Sequence, residues 1–161
     1  MDALSLLKAD HKYVLGLLET MLAGHRPGAD AGAELRRQVM KLAVSATHHE
    51  SIEDEVFWPV VRDAVYDGHR LADIALAQEQ EGTRMLRRLE DCEAGTAEFE
   101  HALVGFAAVA REHIDFEEQQ VWPQLRRSFS VEQMEDLERR LAAATAPTRP
   151  HRLSAPHPRR T

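Results

Sequence analysis

His49-Glu50-Ser51-Ile52-Glu53, followed by Val56-Phe57-Trp58-Pro59, is echoed 64 residues on (49 to 113, 53 to 117) by His113-Ile114-Asp115-Phe116-Glu117, followed by Val121-Trp122-Pro123. His, Glu, Trp and Pro recur at one offset. A His and a Glu four apart lie on one face of an α-helix, about one turn apart. Two such helices facing each other put two imidazoles and two carboxylates around one small volume. That donor set suits two first-row metal ions, iron foremost.

The sequence around both motifs has helical periodicity. Helix A is expected over about 2–23, with Leu4, Leu7, His11, Val14, Leu15, Leu18 and Leu22 in one stripe. Gly24 and Arg26-Pro27-Gly28 break it. Helix B is expected over about 31–66, with Leu35, Val39, Leu42, Ala46, His49, Glu53, Val56 and Val60 inward. Pro59 should kink it, because proline lacks a donor and clashes one turn back. After Asp67-Gly68, helix C is expected over about 69–93, with Leu71, Ile74, Ala75, Met85, Leu86 and Leu89 inward. Helix D follows over about 96–126, with Phe99, Leu103, Phe106, Ala110, His113, Glu117 and Val121 inward. Ser130 and Gln133 form a capping box for a short fifth helix, whose apolar edge is Val131, Met134, Leu137 and Leu141. Short connections favour antiparallel neighbours. The expected fold is all-α: an up-down-up-down antiparallel four-helix bundle over 1–146, with the fifth helix appended. Residues 147–161 hold Arg149, Arg152, Arg159 and Arg160 among prolines with no acid, and read as a disordered basic tail.

Metal sites in bundles are built from inward side chains on facing helices. His49 and Glu53 interrupt the apolar stripe of helix B, and His113 and Glu117 that of helix D. Four ionisable groups in one core would be costly without a compensating charge. A lone inward His is usually a hydrogen-bonded core residue, whereas the doubled spacing points to ligands. His11, inside the stripe of helix A, becomes a fifth. Helix C has no His in its stripe, only Gln78-Glu79-Gln80-Glu81. Aligning the later leucines of the two halves sets Glu79 opposite His11, and a carboxylate is a better ligand than an amide. Glu79 is therefore the expected sixth ligand and Gln78 the alternative. His48 should sit to the side, and His25, His101, His151 and His157 fall in turns, on an outer face or in the tail. Trp58, Trp122, Tyr13 and Tyr66 read as packing residues.

The 161 residues fit one domain with a core of its own, at 43% hydrophobic and 29% charged composition. A net charge of −7 argues against nucleic acid as a partner. No apolar run spans a bilayer, and Met1-Asp2-Ala3-Leu4-Ser5 does not open like a secretory leader, so no membrane association is expected. The lone Cys92 rules out an internal disulfide and fits a reducing, cytoplasmic setting. The expected assembly is a monomer or weak homodimer.

Asp10-His11, His49-xxx-Glu53 with Pro59, and His113-xxx-Glu117 with Pro123 resemble the hemerythrin-like, or HHE cation-binding, family over about residues 2–126. The order His-xxx-Glu separates the chain from ferritin-like proteins, whose motif is Glu-xx-His. The resemblance implies a non-haem centre of two iron ions, oxo- or hydroxo-bridged, with Glu53 and Glu117 as bridging carboxylates. It implies a small ligand: dioxygen, hydrogen peroxide or nitric oxide. Two roles remain open on these grounds, catalase- or peroxidase-like turnover and a non-catalytic sensor or iron-binding protein. The family's usual third-helix ligand is a His. Glu79 in its place favours the ferric state and argues against reversible oxygen carriage.

Overall fold

The computed structural model describes residues 4–24 and 31–145. The expected tail at 147–161, the Arg26-Pro27-Gly28 break, His25, His151 and His157 lie outside them. Among the described residues all regular structure is helical, with no strand. The α-helices are α1 (Leu4–Leu22), α2 (Ala31–Ile52), α3 (Trp58–Ala64), α4 (Gly68–Asp91), α5 (Ala97–Phe116), α6 (Trp122–Ser128) and α7 (Val131–Thr145). Two π-helical segments, Glu53–Phe57 and Glu117–Val121, join α2 to α3 and α5 to α6. In the helical bundle α1 packs on α2 and α5, and α4 packs on α5, α2 and α3.

Local chemistry sets the helix boundaries. Thr96 caps α5, its side chain accepting from the Phe99 N–H at 3.2 Å. The capping box of α7 forms as its spacing requires. The Gln133 N–H donates to Ser130 Oγ at 3.2 Å, and the Ser130 N–H donates to Gln133 Oε1 at 2.8 Å. Between α3 and α4, Asp67 takes a left-handed conformation (φ 63°). A Cβ on Gly68 would lie 2.0 Å from the Val61 carbonyl oxygen, so only glycine lets α4 start so close to α3.

The helical period does not predict the two π segments. Each precedes a Trp-Pro pair, with Pro59 and Pro123 in the first turn of α3 and α6. Proline has no N–H, and its ring crowds the carbonyl four residues back. The wider π turn relieves that crowding: the Trp58 N–H reaches the Glu53 carbonyl and the Trp122 N–H the Glu117 carbonyl, five residues back. Each π turn also adds a residue to the stripe's spacing. Val61 is therefore fully buried and Val60, expected inward, is only half-buried. Likewise Leu125, eight residues after Glu117, is buried.

The core has two apolar parts. One gathers Leu4, Leu7, Ile52, Phe57, Trp58, Leu71, Trp122, Leu137 and Leu141. The other gathers Val14, Leu18, Leu42, Leu86, Phe99, Leu103 and Phe106. On each of α1, α2, α4 and α5 a polar residue divides the two: His11, His49, Glu79 and His113. Helix α7 packs on the first π segment, α1 and α2. Leu137 and Leu141 are its anchors, each worth roughly 1.5–3 kcal/mol on burial. Val131, expected on the same apolar edge, is exposed.

Candidate metal centre

The polar layer brings together the six side chains expected as ligands. His11, His49, Glu53 and Glu117 offer ligand atoms within 4.8 Å of one another, and so do Glu53, Glu79, His113 and Glu117. The groups have Glu53 and Glu117 in common. Glu117 faces both ways: Oε2 lies 3.1 Å from His11 Nε2 and Oε1 lies 3.1 Å from His113 Nε2. Glu53 Oε1 is 3.3 Å from His49 Nε2, and Glu79 Oε1 is 3.9 Å from His113 Nε2. Each π segment begins at one of the two shared carboxylates. Glu53 and Glu117 have no exposed surface.

Outer partners fix the imidazoles. His11 Nδ1 lies 3.0 Å from Glu118 Oε1, His49 Nδ1 lies 3.5 Å from Asp10 Oδ2, and His113 Nδ1 lies 3.3 Å from Gln78 Oε1. Each Nδ1 can donate to its outer partner, and with a cation among the carboxylates that tautomer leaves Nε2 of each neutral ring presenting a lone pair inward. His11 Nε2 and His49 Nε2 then face each other 3.1 Å apart. Two lone pairs at that distance attract only a cation or a proton between them. The Trp58 indole N–H donates to Glu79 Oε1 at 2.9 Å. Trp122 stacks on His11, with ring centroids 5.4 Å apart and planes 9° from parallel.

The oxygens of Glu53 and Glu117 and Nε2 of His113 are buried without a well-aimed hydrogen bond, and their close polar neighbours are the imidazoles and carboxylates of the cluster itself. Such groups cost about 1–3 kcal/mol each when unpaired, more when charged. Their convergence fits a bound cation better than a structural polar core. Without one, protons must compensate. Burial and the neighbouring Glu117 push the Glu53 carboxyl up. Burial and Glu53 push Glu79 up to about 8. Burial opposes charge on His113, but the Glu117 carboxylate outweighs it and holds the imidazole at about 9. Burial likewise opposes charge on His49, and Glu53 and Asp10 outweigh it, holding that ring well above its usual range. Burial would raise Glu117, yet hydrogen bonding and charge from His11 and His113 hold it well below the usual carboxylate range. Metal uptake would displace the retained protons.

A cavity of about 50 Å³ adjoins the layer. Val14, Ala46, Phe106, Val109 and Ala110 line its apolar side, and Asp10, His11, His49, Glu50, Gln78, Glu79 and His113 its polar side. It has room for a small molecule, since about 10–15 Å³ of such space holds one water.

The sequence leaves the role of Gln78 open and gives no sign of Glu118. Gln78 holds His113 from outside, while Glu79 lies buried in the cluster. Glu118, half-buried beside Glu117, carries no signal of its own in the helical pattern. Trp58 and Trp122 pack in the core as expected but also contact site residues; their recurrence at the motif's own offset was the available signal. Tyr13 and Tyr66 are exposed, and so are His48 and His101.

A family model described as the hemerythrin HHE cation binding domain matches residues 2–125. The match spans most of the chain, which therefore belongs to that family. No curated protein and no solved structure matches the chain. Among the described residues no helix is long and apolar enough to cross a membrane.

Proposed function

We propose that this member of the hemerythrin HHE family holds two iron ions and binds or reacts with hydrogen peroxide, dioxygen or nitric oxide. His11, His49, Glu53 and Glu117 would hold one ion, and Glu53, Glu79, His113 and Glu117 the other. The observation that carries this reading is the pair of four-residue groups sharing Glu53 and Glu117. The supporting frame is α1, α2, α4 and α5 as an up-down-up-down four-helix bundle, favoured by the contacts of α1 with α2 and α5 and of α4 with α5 and α2.

Bound iron would supply a Lewis acid and a one-electron donor or acceptor beside the cavity. The chain's own groups supply the rest. Glu53 and Glu117 bring the negative charge that two cations need at close range. Glu118, Asp10 and Gln78 keep the proton on Nδ1, so that Nε2 stays free to ligate. The Trp58 indole fixes one oxygen of Glu79. Val14, Ala46, Phe106, Val109 and Ala110 give a bound small molecule an apolar side beside the cluster. Three buried carboxylates favour the higher oxidation state, which argues against reversible oxygen carriage and leaves peroxide or nitric oxide to bind after reduction.

Adding hydrogen peroxide and, separately, nitric oxide to the iron-loaded chain tests this, with an optical spectrum and an oxygen electrode as readouts. The spectrum is expected to change with peroxide or nitric oxide. Oxygen release with peroxide assigns turnover, and a spectral change without it assigns a sensing or binding role. An iron-loaded chain whose spectrum ignores peroxide, nitric oxide and dioxygen contradicts the proposal.

A further inference from the structure

The two halves of the layer differ in a consistent direction. The group nearer α1 and α2 has two imidazoles and two carboxylates; the group nearer α4 and α5 has one imidazole and three carboxylates. The outer partners follow suit. Both imidazoles of the first group face carboxylates, Glu118 for His11 and Asp10 for His49. A carboxylate acceptor raises the basicity of the ring nitrogen opposite. His113, the sole imidazole of the second group, faces only the neutral amide of Gln78.

The repeated tryptophans sharpen the difference. Trp58 and Trp122 stand at equivalent places after Glu53 and Glu117. Trp122 stacks on His11, a contact that leaves the imidazole lone pair free, and its own Nε1 is buried without an acceptor. Trp58 instead donates to Glu79 Oε1. That bond draws electron density from an oxygen that would otherwise serve a metal. The second group is thus harder, richer in oxygen and weaker in donation than the first.

We infer that the two metal positions are unequal and fill in order: the His11–His49 position first, with a preference for later, imidazole-favouring divalent ions, and the Glu79–His113 position second, open to manganese(II). This rests on the two-ion reading of the site. Affinity for divalent ions rises from manganese toward copper and stays high for zinc, most steeply where nitrogen donors dominate, whereas carboxylate oxygens suit manganese. A mixed pair of ions is therefore a natural occupancy of this chain.

The test uses the full metal-free chain. Zinc is titrated by calorimetry; then manganese(II) is added to chain preloaded with one equivalent of zinc, and the loss of the free manganese resonance is followed by electron paramagnetic resonance. Two zinc phases are expected, separated by roughly 10–100-fold in affinity, the range that outer partners alone control. The zinc-preloaded chain should take up one equivalent of manganese. Glu79→Gln should abolish that uptake and leave the first zinc phase intact. Trp58→Phe, which keeps the ligands and frees Glu79 Oε1, should tighten the second phase on the order of ten-fold and spare the first. Two zinc phases of equal affinity, no manganese uptake beside zinc, or a change shared equally by both phases in Trp58→Phe overturns the inference while leaving a two-ion site standing. Fewer than two equivalents of zinc in the wild-type chain overturns the two-ion reading and the inference together.

Discussion

Replacing Glu53 by Gln keeps the shape of a side chain with no exposed surface and removes its charge. His49 Nε2 lies 3.3 Å from its Oε1, but burial together with Glu117 outweighs that pairing and pushes the carboxyl up. If Glu53 is there for a metal, the metal-free protein carries it at a cost. A buried carboxylate so incompletely compensated costs about 1–3 kcal/mol. Metal-free Glu53→Gln should then be more stable than metal-free wild type by that amount at pH 8. At about 2–4 °C per kcal/mol for a chain of this size, the melting temperature should rise by roughly 2–12 °C. The sign of the pH dependence follows from the raised carboxyl. Its folded form holds the proton more tightly than the unfolded chain, so the cost is absent below the usual carboxylate range and grows as pH rises toward the raised value. The advantage of Glu53→Gln should therefore shrink toward pH 5. Metal reverses the order. A ligand at a hundred times its Kd adds about 2.7 kcal/mol to the wild type, and the variant, lacking a shared carboxylate, should gain far less. Thermal melts followed by circular dichroism, with and without metal at pH 5 and pH 8, decide it. A metal-free variant that melts below wild type at pH 8, with its metal-induced shift intact, refutes the reasoning.

His113→Ala should lose one of two bound equivalents of metal and leave Glu79 and Glu117 poorly compensated; unchanged metal content by elemental analysis contradicts this. Metal uptake should release protons and tighten as pH rises toward about 9, because His113 is held at about 9 and Glu79 at about 8 and both must deprotonate to ligate. Indicator dye in weak buffer reads that release, and uptake without it counts against the assignment. Leu141→Ala removes a fully buried anchor of α7 and should cost about 2–5 kcal/mol with metal content unchanged, since Leu141 lies outside the polar layer. Urea unfolding alongside metal analysis checks both halves of that expectation.

The helices and the cluster were legible in the sequence for different reasons. Stripes such as Leu4, Leu7, Val14 and Leu18 declare a buried helical face because burial follows the 3.6-residue period. The paired motifs stood out because ionisable residues on such a face need compensation, and repetition removed the ambiguity of each alone. The structure brings His11, His49, Glu53, Glu79, His113 and Glu117 into two clusters. The π turns were not legible, since period alone cannot reveal one added residue. Only the Trp-Pro pairs hinted at them, and the consequence was Val60 in place of Val61. The outer partners were hidden too. Glu118 carries no mark of its place beside His11 in the helical pattern, and Gln78, weighed as the alternative ligand, instead meets His113 Nδ1 from outside.

Anomalous diffraction from crystals of the iron-loaded chain, measured at the iron edge, tests the central claim most directly. Two peaks are expected in the polar layer, roughly 3.5–4 Å apart as in other two-metal sites. One should lie against His11 and His49, the other against Glu79 and His113, with Glu53 and Glu117 between. A single peak, or iron bound away from these six side chains, contradicts the account.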